Sequence, residues 1–408
     1  MPVLASATSR AGLALVCAAT AAVIGVAAPA PARAAASDSV LAWYDATASA
    51  IAAGGAPTQV TDNRTWAIGW LAAARAQSGS LSTVHQRAAL AGALHETLVT
   101  LIPAQQPAAD AVLAAELAAL PDQPSTRDSV AAGRAAAQRL LTERIGDGLD
   151  PASINTPFPV PPAAPGVWQP TLPHFAPAVT YGNRVARPFL LRTAAQFRPA
   201  APPALGSVRY EQDLAEVREY GSASSSVRTQ AQTDTATFWY GSSLTLYTPI
   251  LRAAVAQSHA STADRTRLVA LFHVAEVDTH IATSDAKFAY QRWRPVTAIR
   301  ADSDPAWLPL HATPAHPDYP SGHNTYSGAA EGVLTALIGP RASEPYTIGS
   351  PTAPGVTRTY TDWHKPSLEN VDARVWSGIH TRNADLAGIR LGVDVARYTV
   401  THADLLLR

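Results

Sequence analysis

From residue 38 onward the chain repeats one pattern. Apolar residues recur at helical spacing, broken by proline, glycine or a capping residue, with few of the β-branched runs that build strands. Residues 38–53 and 65–76 carry the pattern first. Residues 83–101 end at Pro103, and 107–120 begin with a proline suited to the first helical position and end at Pro121. The next segment, 125–145, opens with Ser125 and Asp128 in capping-box spacing and stops at Gly146. The pattern resumes over 207–220, 226–240, 243–258 and the long run from 262 to about 290. It closes with 321–338, 367 to about 377, and 383–407, where Gly378 and Asn383 punctuate a break around His380. Short turns between neighbours are those of antiparallel bundles, so the spacing predicts an all-α helical bundle protein.

Two stretches depart from the pattern. Residues 147–203 are rich in proline and carry Phe158, Trp168, Phe175, Tyr181 and Phe197 without period. Those aromatic rings would be wasted in a solvated linker, so the segment reads as a long connection wrapped over the surface. Residues 348–361, rich in Thr, Pro and Gly, read as a loop.

At the N-terminus, Arg10 precedes an apolar run over 11–28 and the small-x-small pattern Ala32-Arg33-Ala34, the layout of a secretory signal peptide at 1–34. The expected product is secreted and extracellular, a single α-helical domain at 35–408 with no membrane span after signal removal. The one cysteine, Cys17, lies within the leader, so disulfides, thiolate catalysis and cysteine metal sites are excluded from the rest. With 47% hydrophobic residues the chain can bury a core, and 31 basic against 31 acidic residues leave no net charge to attract nucleic acid. Nothing in the pattern sets the oligomeric state, and an oligomer stays open.

The stretch richest in chemistry is His316 to His323, H-P-D-Y-P-S-G-H, which runs straight into the helical segment at 321–338. Pro320 stops any earlier helix, Ser321 is a good N-cap, and Gly322 lets the backbone come close to a ligand. A helix start with free N–H groups, a hydroxyl and an imidazole is a ready anion site, although a plain capped helix after a proline turn has the same residues. Lys287 and Arg294, in K-x6-R-P, would share a face after two helical turns, with a point charge and a planar fork suited to a tetrahedral oxyanion. Such a pair alone is most often a solvated helix end. Arg374 and His380 would point about 120° apart on a continuous helix, so they can meet one ligand only if the helix ends near Gly378.

Together, K-x6-R-P, P-S-G-H and R-x5-H resemble, in order and spacing, the signature shared by vanadium-dependent haloperoxidases and the type 2 phosphatidic acid phosphatase (PAP2) superfamily. The surrounding W-R-P-V-T-A-I-R, P-D-Y-P-S-G-H and R-V-W-S-G-I-H are similar to the soluble, exported bacterial haloperoxidase-like branch. Less specifically, P-G-V-W-Q-P at 165–170 and R-P-F at 187–189 fit it too. The resemblance implies two four-helix bundles with the oxyanion site in the 262–408 part. Lys287, Arg294 and Arg374 would neutralise the equatorial oxygens of vanadate or phosphate, with hydrogen bonds from Ser321 and the Gly322 N–H. His380 would bond the metal axially or attack phosphorus, and His323 would be the acid–base group.

This chain departs from the family pattern at the last motif. Ala373 stands where serine is usual before the arginine, and Asp385 lies one residue later than the usual acid, so it is expected only as a partner orienting His380 through its other ring nitrogen. Where chloride-oxidising fungal members place aromatic residues, this chain has Ser284 and His316. His316 matches the bromoperoxidase-like choice, which favours bromide or iodide. The expected function is therefore a secreted vanadate-dependent haloperoxidase acting on hydrogen peroxide, a halide and a small organic acceptor. The alternatives are a secreted acid phosphatase working through a phosphohistidine, which needs no cofactor, and an oxyanion-binding protein without turnover.

Overall fold

The computed structural model describes residues 38–79 and 82–408, so the expected leader at 1–34 lies outside the described residues. Asp38 caps α1 (Ser39–Gly54) by accepting the Val40 and Leu41 amides, as the spacing of the first segment predicts. Next come α2 (Gln59–Gln77), α3 (Thr83–Leu101), α4 (Gln106–Ala118) and α5 (Pro124–Glu143). The capping box expected at Ser125 does not form. Pro124 takes the first helical position, Gln123 is the cap residue, and Ser125 falls inside the helix with its carbonyl accepting the Ser129 hydroxyl. A proline at the first position already removes one of the free N–H groups a cap would satisfy.

A single turn, α6 (Pro151–Ile154), opens the long connection, which wraps the surface as expected. Phe158, Trp168 and Tyr181 pack around Phe288. Farther along, the Phe189, Leu190 and Leu191 amides donate to the buried Asp278 carboxylate at 2.6, 2.8 and 2.9 Å. A carboxylate that accepts backbone donors satisfies an irregular segment that has no ladder of its own.

The second half contains α7 (Val208–Tyr220), α8 (Gln230–Phe238), α9 (Ser243–Gln257), α10 (Thr262–Tyr290), α11 (Pro295–Asp302) and α12 (Gly322–Ile338). The loop expected at 348–361 is instead most of a β-hairpin, β1 (Arg341–Ser350) against β2 (Ala353–Asp362), antiparallel with Tyr346 opposite Tyr360. Alternating Thr357, Thr359 and Thr361 are strand formers, and Tyr346 stacking on Trp363 anchors the pair to the core. After it come α13 (His364–Trp376), α14 (Arg382–Thr401) and α15 (Ala403–Leu406).

The long helix α10 ties the molecule together. It packs against α2 and α3 and also against α12 and α14, and its side chains are buried along nearly all of its length. One core therefore runs from Trp43, Trp66 and Trp70 through Phe272 to Tyr326 and Trp363. α12 and α14 meet backbone to backbone: a Cβ on Gly392 would lie 2.1 Å from the Thr325 carbonyl. That close crossing sets the start of α12 beside the start of α14. No helix among the described residues is long and apolar enough to cross a membrane.

Candidate functional site

Four chain segments bring the expected anion-binding residues together. Lys287 lies in the last turn of α10, Arg294 just before α11, Ser321 to His323 at the start of α12, and Arg374 in the last turn of α13. α13 ends where Gly378 takes a φ of 78°, with the Gly221 carbonyl 2.3 Å from where a Cβ would stand. Only glycine fits that turn, and the turn returns His380 toward the arginines. The face mismatch of a continuous helix is thereby removed.

Buried donors and acceptors define the geometry. The Lys287 ammonium donates to the carbonyls of Pro317 and Asp318 at 2.6 and 3.1 Å, leaving its third N–H. Arg294 donates from Nε to the His316 carbonyl at 2.6 Å and from Nη1 to the Ile379 carbonyl at 2.7 Å. Its Nη1 also lies 3.1 Å from His380 Nε2, and its Nη2 lies 3.1 Å from His316 Nδ1. Arg374 donates from Nη1 to the Trp239 carbonyl at 3.2 Å, while its buried Nε and Nη2 have no partner among the described residues. Nothing crowds Gly322: a Cβ there would meet only Lys287 Cε, at 3.9 Å.

Both histidines have a defined proton. His380 Nδ1 lies 2.6 Å from Asp318 Oδ1, so Nδ1 carries the hydrogen and Nε2 presents its lone pair toward Arg294. Thr381 donates to the other Asp318 oxygen at 2.8 Å, which holds the carboxylate in place. His323 Nε2 lies 2.9 Å from the Gly241 carbonyl. A carbonyl can only accept, so Nε2 is the protonated nitrogen and Nδ1 is basic.

Asp318 corrects one expectation. The carboxylate that orients His380 is Asp318, inside the H-P-D-Y-P-S-G-H stretch, and not Asp385. Asp385 is buried at the start of α14 and accepts the Asn324 side-chain amide at 2.7 Å. The Ser321 hydroxyl corrects another. Ser321 occupies the cap position of α12 without making a side-chain cap, and the Asn324 amide reaches its oxygen at 3.4 Å. Sequence reasoning also missed the backbone acceptors at Trp239 and Gly241, which no residue-type signal marks. Asp318 had a signal, a carboxylate within the motif itself.

Electrostatics follow from burial. Lys287 is pushed well below its ordinary pKa by desolvation and then by the Arg294 charge. Arg294 and Arg374 are each lowered to about 10, chiefly by desolvation. His316, His323 and His380 are likewise held neutral, first by burial and then by the neighbouring cations. Asp318 and Asp385 are raised, chiefly by burial. An anion between Lys287, Arg294 and Arg374 would relieve this strain and take up the two open Arg374 donors. The donor set is cationic and N–H rich, which suits an oxyanion with spread charge.

The chain is similar to known proteins. Residues 267–408 match the family model described as the VCPO second helical-bundle domain. The vanadium chloroperoxidase of Curvularia inaequalis is 30% identical over a region covering 31% of this chain and 29% of that protein's length. Among solved structures, the first bacterial vanadium-dependent iodoperoxidase superposes with a TM-score of 0.74 at 22% identity, covering 89% of this chain and 95% of that one. A holo-type bacterial vanadium-dependent chloroperoxidase gives 0.65 at 15% identity, with 85% and 92% covered. Residues 267–408, which hold every side chain of the site described above, thus belong to the vanadium haloperoxidase superfamily, and the described chain as a whole has that superfamily's fold.

Proposed function

We propose that the protein is a vanadate-dependent haloperoxidase that uses hydrogen peroxide to oxidise bromide or iodide in preference to chloride, passes the product to a small organic acceptor, and works after export from the cell. The observation that carries the reading is Arg374: a guanidinium shut away from solvent, with Nε and Nη2 open, close enough for its charge to act on Lys287, Arg294 and His380. Such a group is costly to bury unless an anion completes it.

The third Lys287 N–H, the open Arg374 donors, Arg294, the Ser321 hydroxyl and the Gly322 N–H would hold the vanadate oxygens, and His380 Nε2 would bond the metal. When bound, vanadate supplies a Lewis acid that polarises the O–O bond of hydrogen peroxide without changing its own oxidation state. Overall, halide, hydrogen peroxide and one proton give hypohalous acid and water. His323 is the group that moves the proton: its Nε2–H is committed to Gly241, and its Nδ1 is neutral at rest, so it can accept and return a proton there. Asp318 keeps His380 in the tautomer that offers Nε2 to the metal. His316, half-buried and held by Arg294, and Ser284, whose hydroxyl donates to the Thr180 carbonyl at 2.6 Å, stand where the fungal chloride oxidisers have aromatic rings. That difference, and an iodoperoxidase among the structural neighbours, support bromide or iodide.

Purified protein incubated with orthovanadate, bromide and hydrogen peroxide is expected to brominate a phenolic dye. Failure to do so, with vanadate-inhibited cleavage of an aryl phosphate instead, would establish the phosphohistidine chemistry and overturn this reading. Export is checked separately: protein recovered from culture medium should begin close to Ala35.

A further inference from the structure

A concave site lies apart from the residues expected to bind the anion. Between α1, the start of α2 and the start of α9 is a cavity of about 670 Å³, large enough for a small organic molecule. Ile51, Trp66, Leu244 and Pro249 give it apolar walls. Its charged lining residues are Asp45, Asp62 and Arg252. Arg252 grips both oxygens of Asp45, at 2.6 and 2.7 Å, and this pair closes on itself. Asp62 is different. Its Oδ1 accepts the Ala56 amide at 2.7 Å, and no cation pairs with it among the described residues. The lining therefore carries one uncompensated negative charge in mostly apolar surroundings, and burial pushes the Asp62 carboxyl up to about 6.

We propose that this cavity binds a small monocationic amine with an apolar body, its ammonium on Asp62 and its hydrophobic part against Ile51, Trp66, Leu244 and Pro249. An anion is refused by the net charge. A neutral molecule would leave the carboxylate without its complement, whereas an ammonium supplies both the charge and the N–H donors that the free Asp62 oxygen lacks. The site is not isolated from the anion-binding centre. Gln59, on the cavity wall, accepts the Ser242 hydroxyl at 2.7 Å and lies 3.0 Å from His280 Nε2 on α10. Ser242 directly follows Gly241, the acceptor for His323. The inference needs no vanadate and no turnover, so it stands or falls apart from the proposed chemistry.

The test is calorimetric titration of the purified protein at pH 8, without vanadate or peroxide, using tryptamine and its neutral analogue indole-3-ethanol. Tryptamine is expected to bind saturably and more tightly than the alcohol. Asp62→Asn, whose amide oxygen can still accept the Ala56 N–H, should weaken tryptamine by about tenfold or more and leave the alcohol unchanged. Ala48→Leu, which fills the cavity without altering charge, should weaken both. Absence of saturable tryptamine binding, or equal affinity in Asp62→Asn, or unchanged affinity in Ala48→Leu, would overturn the proposal.

Discussion

Arg144 and Arg374 are both arginines buried in the fold, and their surroundings are completed differently. Arg144, at the end of α5, donates from Nε to Asp147 at 2.9 Å, from Nη1 to the Pro188 carbonyl at 2.9 Å and from Nη2 to the Arg187 carbonyl, and it covers the Phe189 ring. Every nitrogen has an acceptor, and a second arginine, Arg64, shares Asp147. Arg374 has one backbone acceptor and two open nitrogens. The first arginine pins the long connection to the bundle, and the second keeps two buried donors open. Glu276 shows why arginine cannot resolve the problem alone. Both of its buried oxygens lack partners among the described residues, and burial pushes its pKa well up, toward the uncharged acid. A guanidinium lowered to about 10 is still charged at neutral pH. Incomplete partnering of a buried arginine therefore points to an anion more strongly than burial of the charge does.

The contrast can be broken by mutation. The largest effect is expected at His380→Ala, which should abolish halide oxidation and sharply weaken vanadate binding while the thermal midpoint is kept; vanadate affinity equal to the parent would remove His380 from the site. Arg144→Ala should cost about 3–5 kcal/mol in urea unfolding, because the buried Asp147 would lose its buried cationic partner and the Pro188 and Arg187 carbonyls would lose their donor. A loss under about 1 kcal/mol would show that the completed arginine is dispensable. Arg374→Ala should behave in the opposite way: apo stability is unchanged or raised, and vanadate affinity falls by about 1.5–3 kcal/mol, the range of charged hydrogen bonds. If it unfolds the protein as Arg144→Ala does, the distinction fails. Asp318→Asn should weaken vanadate about tenfold through His380, with Asp385→Asn near the parent; the reverse ranking would restore Asp385 as the orienting acid. The smallest change is expected from Ser321→Ala, about 1 kcal/mol in vanadate affinity, since one neutral hydrogen bond is removed.

Much of the fold was legible because helices are local. α3 and α10 run over the residues their spacing predicts, and α1 starts at its Asp38 cap. The hairpin was not legible, since Pro354 and Gly355 look like a loop and β2 becomes a strand only when Tyr360 finds Tyr346 across from it. The apparent capping box at Ser125 failed for a related reason, as two local signals competed and Pro124 prevailed.

The anion site divides along the same line. The family resemblance carried by K-x6-R-P, P-S-G-H and R-x5-H singled out Lys287, Arg294, Ser321, Gly322, His323, Arg374 and His380 in the linear chain, and cations, N–H groups and imidazole are the groups a spread negative charge calls for. Which carboxylate faces His380 was beyond the linear pattern. Asp385 is near His380 in the chain and Asp318 is far, yet Gly378 turns the imidazole toward Asp318, while the first turn of α14 points Asp385 at Asn324. The open donors of Arg374 and the unpaired Asp62 were likewise decided only by packing, since a charged side chain is free or satisfied according to what the rest of the chain sets against it, and that is a property of three-dimensional neighbours and not of spacing.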